Sequence, residues 1–249
     1  PDFDVLLSNA PGIDVDSLLN AKSELKQFFA TKFEARLLEI YNNCETLDDE
    51  ISGEASAKRS LRNVCASYLA ATDGGNSLIE KQYAQSKNMT NSLAAISAAS
   101  ANKLACFNSV IASFEKKWYD NTLVMDKWFA INAQWQGDNI FEHIEGLLNH
   151  PLFTLENPNR ARSLLGAFSH ANPKAFHHKS GKGYKLLTDQ IIKMDKINPQ
   201  VASRLITPLI QFQSLDAKRQ SMIKSELQRI KAQSTLSRDL EEKLSATLD

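Results

Sequence analysis

The chain has 249 residues, 43% of them hydrophobic and 23% charged, with 29 basic side chains balanced by 29 acidic ones. That length can bury a substantial core, and a net charge of zero gives no bulk attraction to nucleic acid or an anionic membrane. Nine glycines and seven prolines are few for this length, and no apolar run approaches the roughly 18 residues a membrane span needs.

Apolar residues recur at helical spacing almost throughout. Leu18, Leu19, Ala21, Leu25, Phe28 and Phe29 mark an opening helix, continued or restarted by Phe33, Leu37, Ile40 and Tyr41. A second spans Ser52 to Ala71, with Leu61, Val64, Cys65, Tyr68 and Leu69 on one stripe, and Asp73-Gly74-Gly75-Asn76 ends it. Shorter helices are predicted over 78–85, 89–101, 107–119 and 122–134. The small side chains from Ala94 to Ala101 would let two helices approach closely. Trp118, Tyr119, Trp128, Phe129 and Trp135 read as an aromatic part of the core. The series continues over 139–148, 158–168, 173–176, 184–194, 199–210, 216–232 and 237–248.

No stretch alternates with the period of a strand. Short polar connections place each helix beside its sequence neighbour. The predicted fold is therefore all-α, a superhelical array of antiparallel helix pairs of the armadillo/HEAT kind, with residues 1–249 forming a single helical domain. No clean repeat is visible, as expected of divergent helix pairs.

Three cysteines, Cys44, Cys65 and Cys106, lie in apolar helical patterns and form no Cys-x-x-Cys. They read as small core residues of a protein in a reducing cytoplasm. The chain begins at Pro1 rather than Met, as expected of an excised fragment.

The five histidines (His143, His150, His170, His177 and His178) include no pair at i, i+4 with an adjacent glutamate. A His-Glu-x-x-His zinc site needs that arrangement, because it sets two imidazoles and a general base on one helix face. No metal ligand is assigned. There is no Gly-x-Ser-x-Gly, and no cysteine stands in a local nucleophile signature. Gly181-Lys182-Gly183-Tyr184 has the wrong context for a phosphate loop and reads as a cap that starts the next helix.

Two segments open helices with Asn-Pro and then place arginines in the early turns: Asn157-Pro158-Asn159-Arg160-Ala161-Arg162, and Asn198-Pro199-Gln200-Val201-Ala202-Ser203-Arg204. Asparagine caps the helix and proline suits its first position. Arginine is less expected there, since the helix dipole is positive at that end. An anion held by guanidinium would supply a reason, and Gln200 and Arg204, at i, i+4, share one helix face. The structural alternative ties these arginines to carbonyls, to Asp189 or to Glu156. Arg160 falls on a different face from Arg162 and reads as structural.

The same segments, with Asn121-Thr122-Leu123-Val124-Met125-Asp126-Lys127-Trp128-Phe129, Asn88-Met89-Thr90 and Asp216-Ala217-Lys218-Arg219-Gln220, resemble the C-terminal helical domain of bacterial aminopeptidase N, a family of zinc metallopeptidases. The similarity is dense from about Lys58 onward. It implies a non-catalytic domain that caps the active-site chamber, with zinc in a catalytic domain of the same polypeptide that is not in this chain. It implies too that Arg162, Gln200 and Arg204 project toward the peptide substrate, whose carboxylate a guanidinium binds bidentately. Partners are then that catalytic domain and the peptide, without nucleic acid or membrane. A stand-alone helical-repeat module for protein or peptide interaction stays open as the alternative.

Overall fold

A computed structural model describes residues 2–46 and 50–248, and every regular element among them is helical. The chain divides into two compact units, Pro1–Leu19 with Asp138–Asp249, and Asn20–Gly137. It passes from the first into the second within one helix.

The first unit opens with α1 (Phe3–Asn9), which the apolar pattern did not announce, and with the start of α2 (Val15–Lys32). Asp2 caps α1 by accepting from Val5 N–H, and Asp14 accepts from Ser17 N–H at the head of α2. Phe3 and Leu7 are the buried residues of α1.

The second unit holds the rest of α2, then α3 (Glu34–Asn43), α4 (Gly53–Leu69), α5 (Gly75–Gln85), α6 (Met89–Ala101), α7 (Phe107–Trp118) and α8 (Thr122–Ala133). Sequence neighbours pair as α3 with α4, α5 with α6, and α7 with α8, while α6 also meets α4, α7 and α8. Small residues make α6 the hub: Ala95, Ile96 and Ala99 are fully buried, and Ser100 Oγ donates to the Ile131 carbonyl at 3.2 Å. The expected turn at Asp73–Asn76 already contains the start of α5. A Cβ on Gly75 would lie 2.6 Å from the Leu69 and Ala70 carbonyl oxygens, so only glycine permits this contact. Gln82 Nε2 donates to Asn63 Oδ1 at 2.9 Å and to the Asn91 carbonyl at 3.2 Å, a neutral amide network linking α4, α5 and α6.

The expected aromatic core is present in part, with Trp118 and Trp135 half-buried. Trp128 and Phe129 are buried, and Trp128 Nε1 donates to the Ile111 carbonyl at 3.1 Å. Tyr119 departs from it and is exposed. Cys44, Cys65 and Cys106 are buried free thiols, as their apolar setting suggested.

Back in the first unit come α9 (Ile140–Leu148), α10 (Pro158–Ala161), a π-helical turn at Arg162–Gly166, α11 (Ala167–Ala171) and α12 (Pro173–Phe176). Then come α13 (Lys182–Asp195), α14 (Pro199–Leu205), α15 (Thr207–Ile210), α16 (Ala217–Lys231) and α17 (Arg238–Leu248). α13 packs on α14 and α16, and α17 closes against α14 and α16. Gly181 starts α13 from a left-handed conformation (φ 72°), and a Cβ on Gly183 would lie 2.3 Å from the Phe176 carbonyl oxygen. The single helix expected over 199–210 breaks at Ile206, because Pro208 has no N–H to continue the ladder.

One buried cation organises this unit. Arg219, 4% exposed, donates from Nε to the His177 carbonyl at 2.7 Å. Its terminal nitrogens donate to Asp216 Oδ2 at 2.7 Å and Asp16 Oδ2 at 2.9 Å, with Asp14 at 3.6 Å. Asp216 also caps α16 by accepting from Arg219 N–H. The Asp216-Ala217-Lys218-Arg219 motif is thus a cap joined to an electrostatic clamp on the head of α2.

Candidate functional site

Both Asn-Pro helices begin as their sequences require. Asn157 Oδ1 accepts from the N–H groups of Asn159 and Arg160, and Asn198 Oδ1 accepts from Val201 N–H. With their caps alike, the two segments diverge only beyond the first turn. After Pro199 the turn is regular α-helix, so Gln200 and Arg204 stay one above the other on the same exposed face. After Pro158 a single α-turn gives way to the π-turn that begins at Arg162. A π-turn inserts one residue into the helical repeat and re-aims the side chains around it. The continuous helix expected over 158–168 is therefore replaced by α, π and α segments ending at Ala171. α14 packs against the π-turn, which brings the two arginine-bearing elements side by side.

The arginines have different fates. Arg160 is buried, and its guanidinium donates to the Leu152 carbonyl. That is the structural role its helix face suggested. Arg162 is exposed and, among the described residues, bonds only within its own turn, from Nε to the Pro158 carbonyl at 3.1 Å and from Nη2 to Asn159 Oδ1 at 2.6 Å. These contacts fix the guanidinium yet leave donors free to face solvent. Arg204 and Gln200 are exposed and form no hydrogen bond or ion pair with a described residue. The structural alternative is met in part, since Arg162 does bond a carbonyl, that of Pro158. The acidic partners are not used: Asp189 pairs with Lys185 at 2.8 Å and Arg229 at 2.7 Å, and Glu156 pairs with neither arginine.

Among the described residues no cluster of three or more His, Cys, Asp or Glu side chains could hold a metal ion. His177 is committed to the core instead. Its Nδ1 lies 2.9 Å from the Tyr184 hydroxyl, and burial, reinforced by the Arg219 charge, pushes its pKa down to about 3. Burial raises the Tyr184 hydroxyl in turn. The pair is a neutral core hydrogen bond. Burial also raises the Asp216 carboxyl, but hydrogen bonds from Arg219 outweigh this and hold it below the usual carboxylate range.

One further feature of the first unit belongs to no motif: a groove lined by Gln190, Glu145 and Glu156 among others. Its signal in the sequence is a glutamine, Gln190, on the apolar edge of a helix between Leu187 and Met194.

Comparison with known proteins supplies the context. A family model described as "Domain of unknown function (DUF3458_C) ARM repeats" matches residues 1–249. The chain is 43% identical over 236 residues to aminopeptidase N of Haemophilus influenzae and 42% identical over 238 residues to aminopeptidase N of Escherichia coli. Each match covers 95% of this chain but only 27% of the relative, so the chain spans about a quarter of those proteins' length. A crystal structure of Legionella pneumophila aminopeptidase A in complex with aspartic acid superposes on the whole chain with a TM-score of 0.89 at 27% identity, using 30% of that protein. An ARM-repeat description is one of stacked helix pairs, and it bears out the all-α superhelical class expected from the sequence. The chain belongs to the DUF3458_C ARM-repeat family, in the form that makes up the C-terminal region of bacterial aminopeptidases N.

Proposed function

We propose that residues 1–249 act as one non-catalytic helical domain that caps the active-site chamber of an aminopeptidase N. In this reading, Arg162, Gln200 and Arg204 meet the peptide substrate beyond the scissile bond. The observation that carries the proposal is the match itself, near-complete for this chain and partial for its relatives, which leaves most of such a polypeptide to supply the chemistry. Among the described residues no donor set fits a zinc ion, and no step of hydrolysis is assigned to them. The metal and its general base belong, in this reading, to a catalytic domain of the same polypeptide.

The exposed guanidinium of Arg204 and the amide of Gln200 support a contact with substrate, since neither is spent inside the fold. Two parallel N–H donors match a terminal carboxylate, and removing bulk water from the chamber would strengthen that pairing. The second unit supports a partner surface. On and just beyond α2, Leu25, Phe28, Phe29 and Phe33 are 56%, 53%, 40% and 44% exposed, at the spacing of one helix face. An apolar face of that kind suits a docking surface, and the remaining length of the parent polypeptide is its proposed occupant. No helix among the described residues is long and apolar enough to cross a membrane, and a cytoplasmic enzyme is part of the same proposal.

The test compares this chain with the complete polypeptide. The chain alone is expected to bind no stoichiometric zinc and to release no N-terminal residue, while the complete polypeptide does both. Turnover by the purified chain that persists through contaminant controls would overturn the capping role.

A further inference from the structure

A groove of about 570 Å³ crosses the first unit between the last turns of α9, the connection through Phe153 to Glu156, and the end of α13. That volume lies within the range of small-molecule and peptide-side-chain sites. Gln190 forms part of its lining and is 8% exposed. Its amide makes no hydrogen bond with a described residue, and neither amide atom is among the unpartnered polar atoms sealed from solvent. Its polar atoms therefore reach water through the groove, and a ligand entering there would exchange that water for its own hydrogen bonds. Access through the groove gives the amide a role that methionine could not fill.

The complement of a carboxamide is a peptide unit, whose carbonyl accepts from the NH₂ group while its N–H donates to the oxygen. The walls fit the rest of a peptide. Leu148, Phe153 and Ile197 line the groove, and Ile197 is 48% exposed. Glu145 and Glu156 carry exposed carboxylates with no ion pair to a described residue, against the single cation of Lys193. The excess of negative charge favours a basic residue over an acidic one. Position adds to this. Glu156 immediately precedes the Asn157 cap, and Ile197 immediately precedes the Asn198 cap, so the groove flanks the starts of both helices that carry the exposed arginines.

We infer that this groove binds an internal stretch of extended peptide, pairing one peptide unit with Gln190, seating an apolar side chain and preferring a lysine beside it. The inference goes beyond the carboxylate contact proposed above, because no chain terminus takes part.

The probe is therefore a peptide, Ala-Leu-Lys-Ala-Leu-Ala, with fluorescein joined through an amide to its N-terminal nitrogen and its carboxyl end amidated, titrated by anisotropy into this 249-residue chain. Saturable binding is expected, weakened about fivefold or more by Gln190→Met, as for loss of one or two hydrogen bonds. Arg36→Ala, at an exposed ion pair in the second unit, is expected to leave it unchanged. Exchanging the probe's lysine for glutamate weakens binding to the native chain, and Glu145→Gln with Glu156→Gln narrows that difference. Gln190→Met is expected to fold with an unchanged or raised urea midpoint, since the amide makes no hydrogen bond with a described residue that the variant would lose. Absence of saturable binding, equal binding by Gln190→Met, or a lowered midpoint for that variant would overturn the inference.

Discussion

The two units are held together by different physics. In the first, charge is drawn into the fold: Arg219 is buried among Asp14, Asp16 and Asp216, Arg229 joins Asp189 to Glu226, and Asp195 accepts from both the N–H and hydroxyl of Ser237 at the head of α17. The second relies on close-packed small residues around α6, buried rings such as Phe107, Phe114 and Phe129, and a neutral amide network. It also leaves an aromatic face in solvent. Buried charge makes a unit's stability depend on pH. Apolar packing does not, but it creates surfaces that need a partner.

Four substitutions would break or sharpen that contrast. The largest effect belongs to the second unit's core, where Phe129→Ala should cost about 3–5 kcal/mol in urea unfolding. That loss should hold steady across pH. Arg219→Met in the first unit should cost about 3 kcal/mol near neutral pH, because it strands the His177 carbonyl and the Asp216 carboxylate. The Asp216 carboxyl is held below its unfolded value, so this contribution is present above the ordinary carboxylate range and lost as pH falls through the folded pKa. The difference between native and variant chains should therefore shrink in acid, and a difference independent of pH would show that the clamp acts by packing alone.

His177 gives a signal of another kind, a change of slope with pH that is small at any one step near neutrality. Its folded pKa of about 3 lies below the unfolded value near 6.5, so the unfolded chain takes up the proton first. Stability from the neutral ring is present above pH 6.5 and lost as pH falls toward 3. His177→Gln should remove up to about 1.4 kcal/mol per pH unit from the slope in that window, checked by urea midpoints between those limits. Least of all, Phe28→Ser should change the chain's stability by no more than about 0.5 kcal/mol, while lowering the binding of a hydrophobic dye. A large loss of stability would mean that this ring is already covered.

How legible each feature was in the sequence depends on the range of the interactions behind it. Caps are local, so Asn88, Asn121, Asn157, Asn198 and Asp216 stand at helix starts where their side chains reach a nearby N–H. The small-residue run of α6 announced close packing for the same reason. A helical stripe, by contrast, shows which residues share a face and not what covers it. Leu61 and Val64 on α4 share a predicted apolar face with Cys65 and Leu69, yet they are 48% and 50% exposed. The π-turn at Arg162 adds one residue to a repeat whose pattern scarcely changes, and α1 is too short to show a period. Gln190 was not singled out, because its isolation from partners depends on how segments distant in sequence line one groove. The Asn-Pro segments placed Arg162, Gln200 and Arg204 on helix starts, and the structure leaves all three exposed.

The most direct measurement takes the complete polypeptide with Arg204→Ala and compares kcat/KM for a tripeptide, for the same tripeptide amidated at its carboxyl end, and for a single-residue chromogenic amide. Loss of a charge-assisted pair predicts a fall of about tenfold or more for the free tripeptide, with much smaller changes for the other two. Equal losses on all three substrates, or none on any, would contradict the placement of this helix face at the substrate's far end.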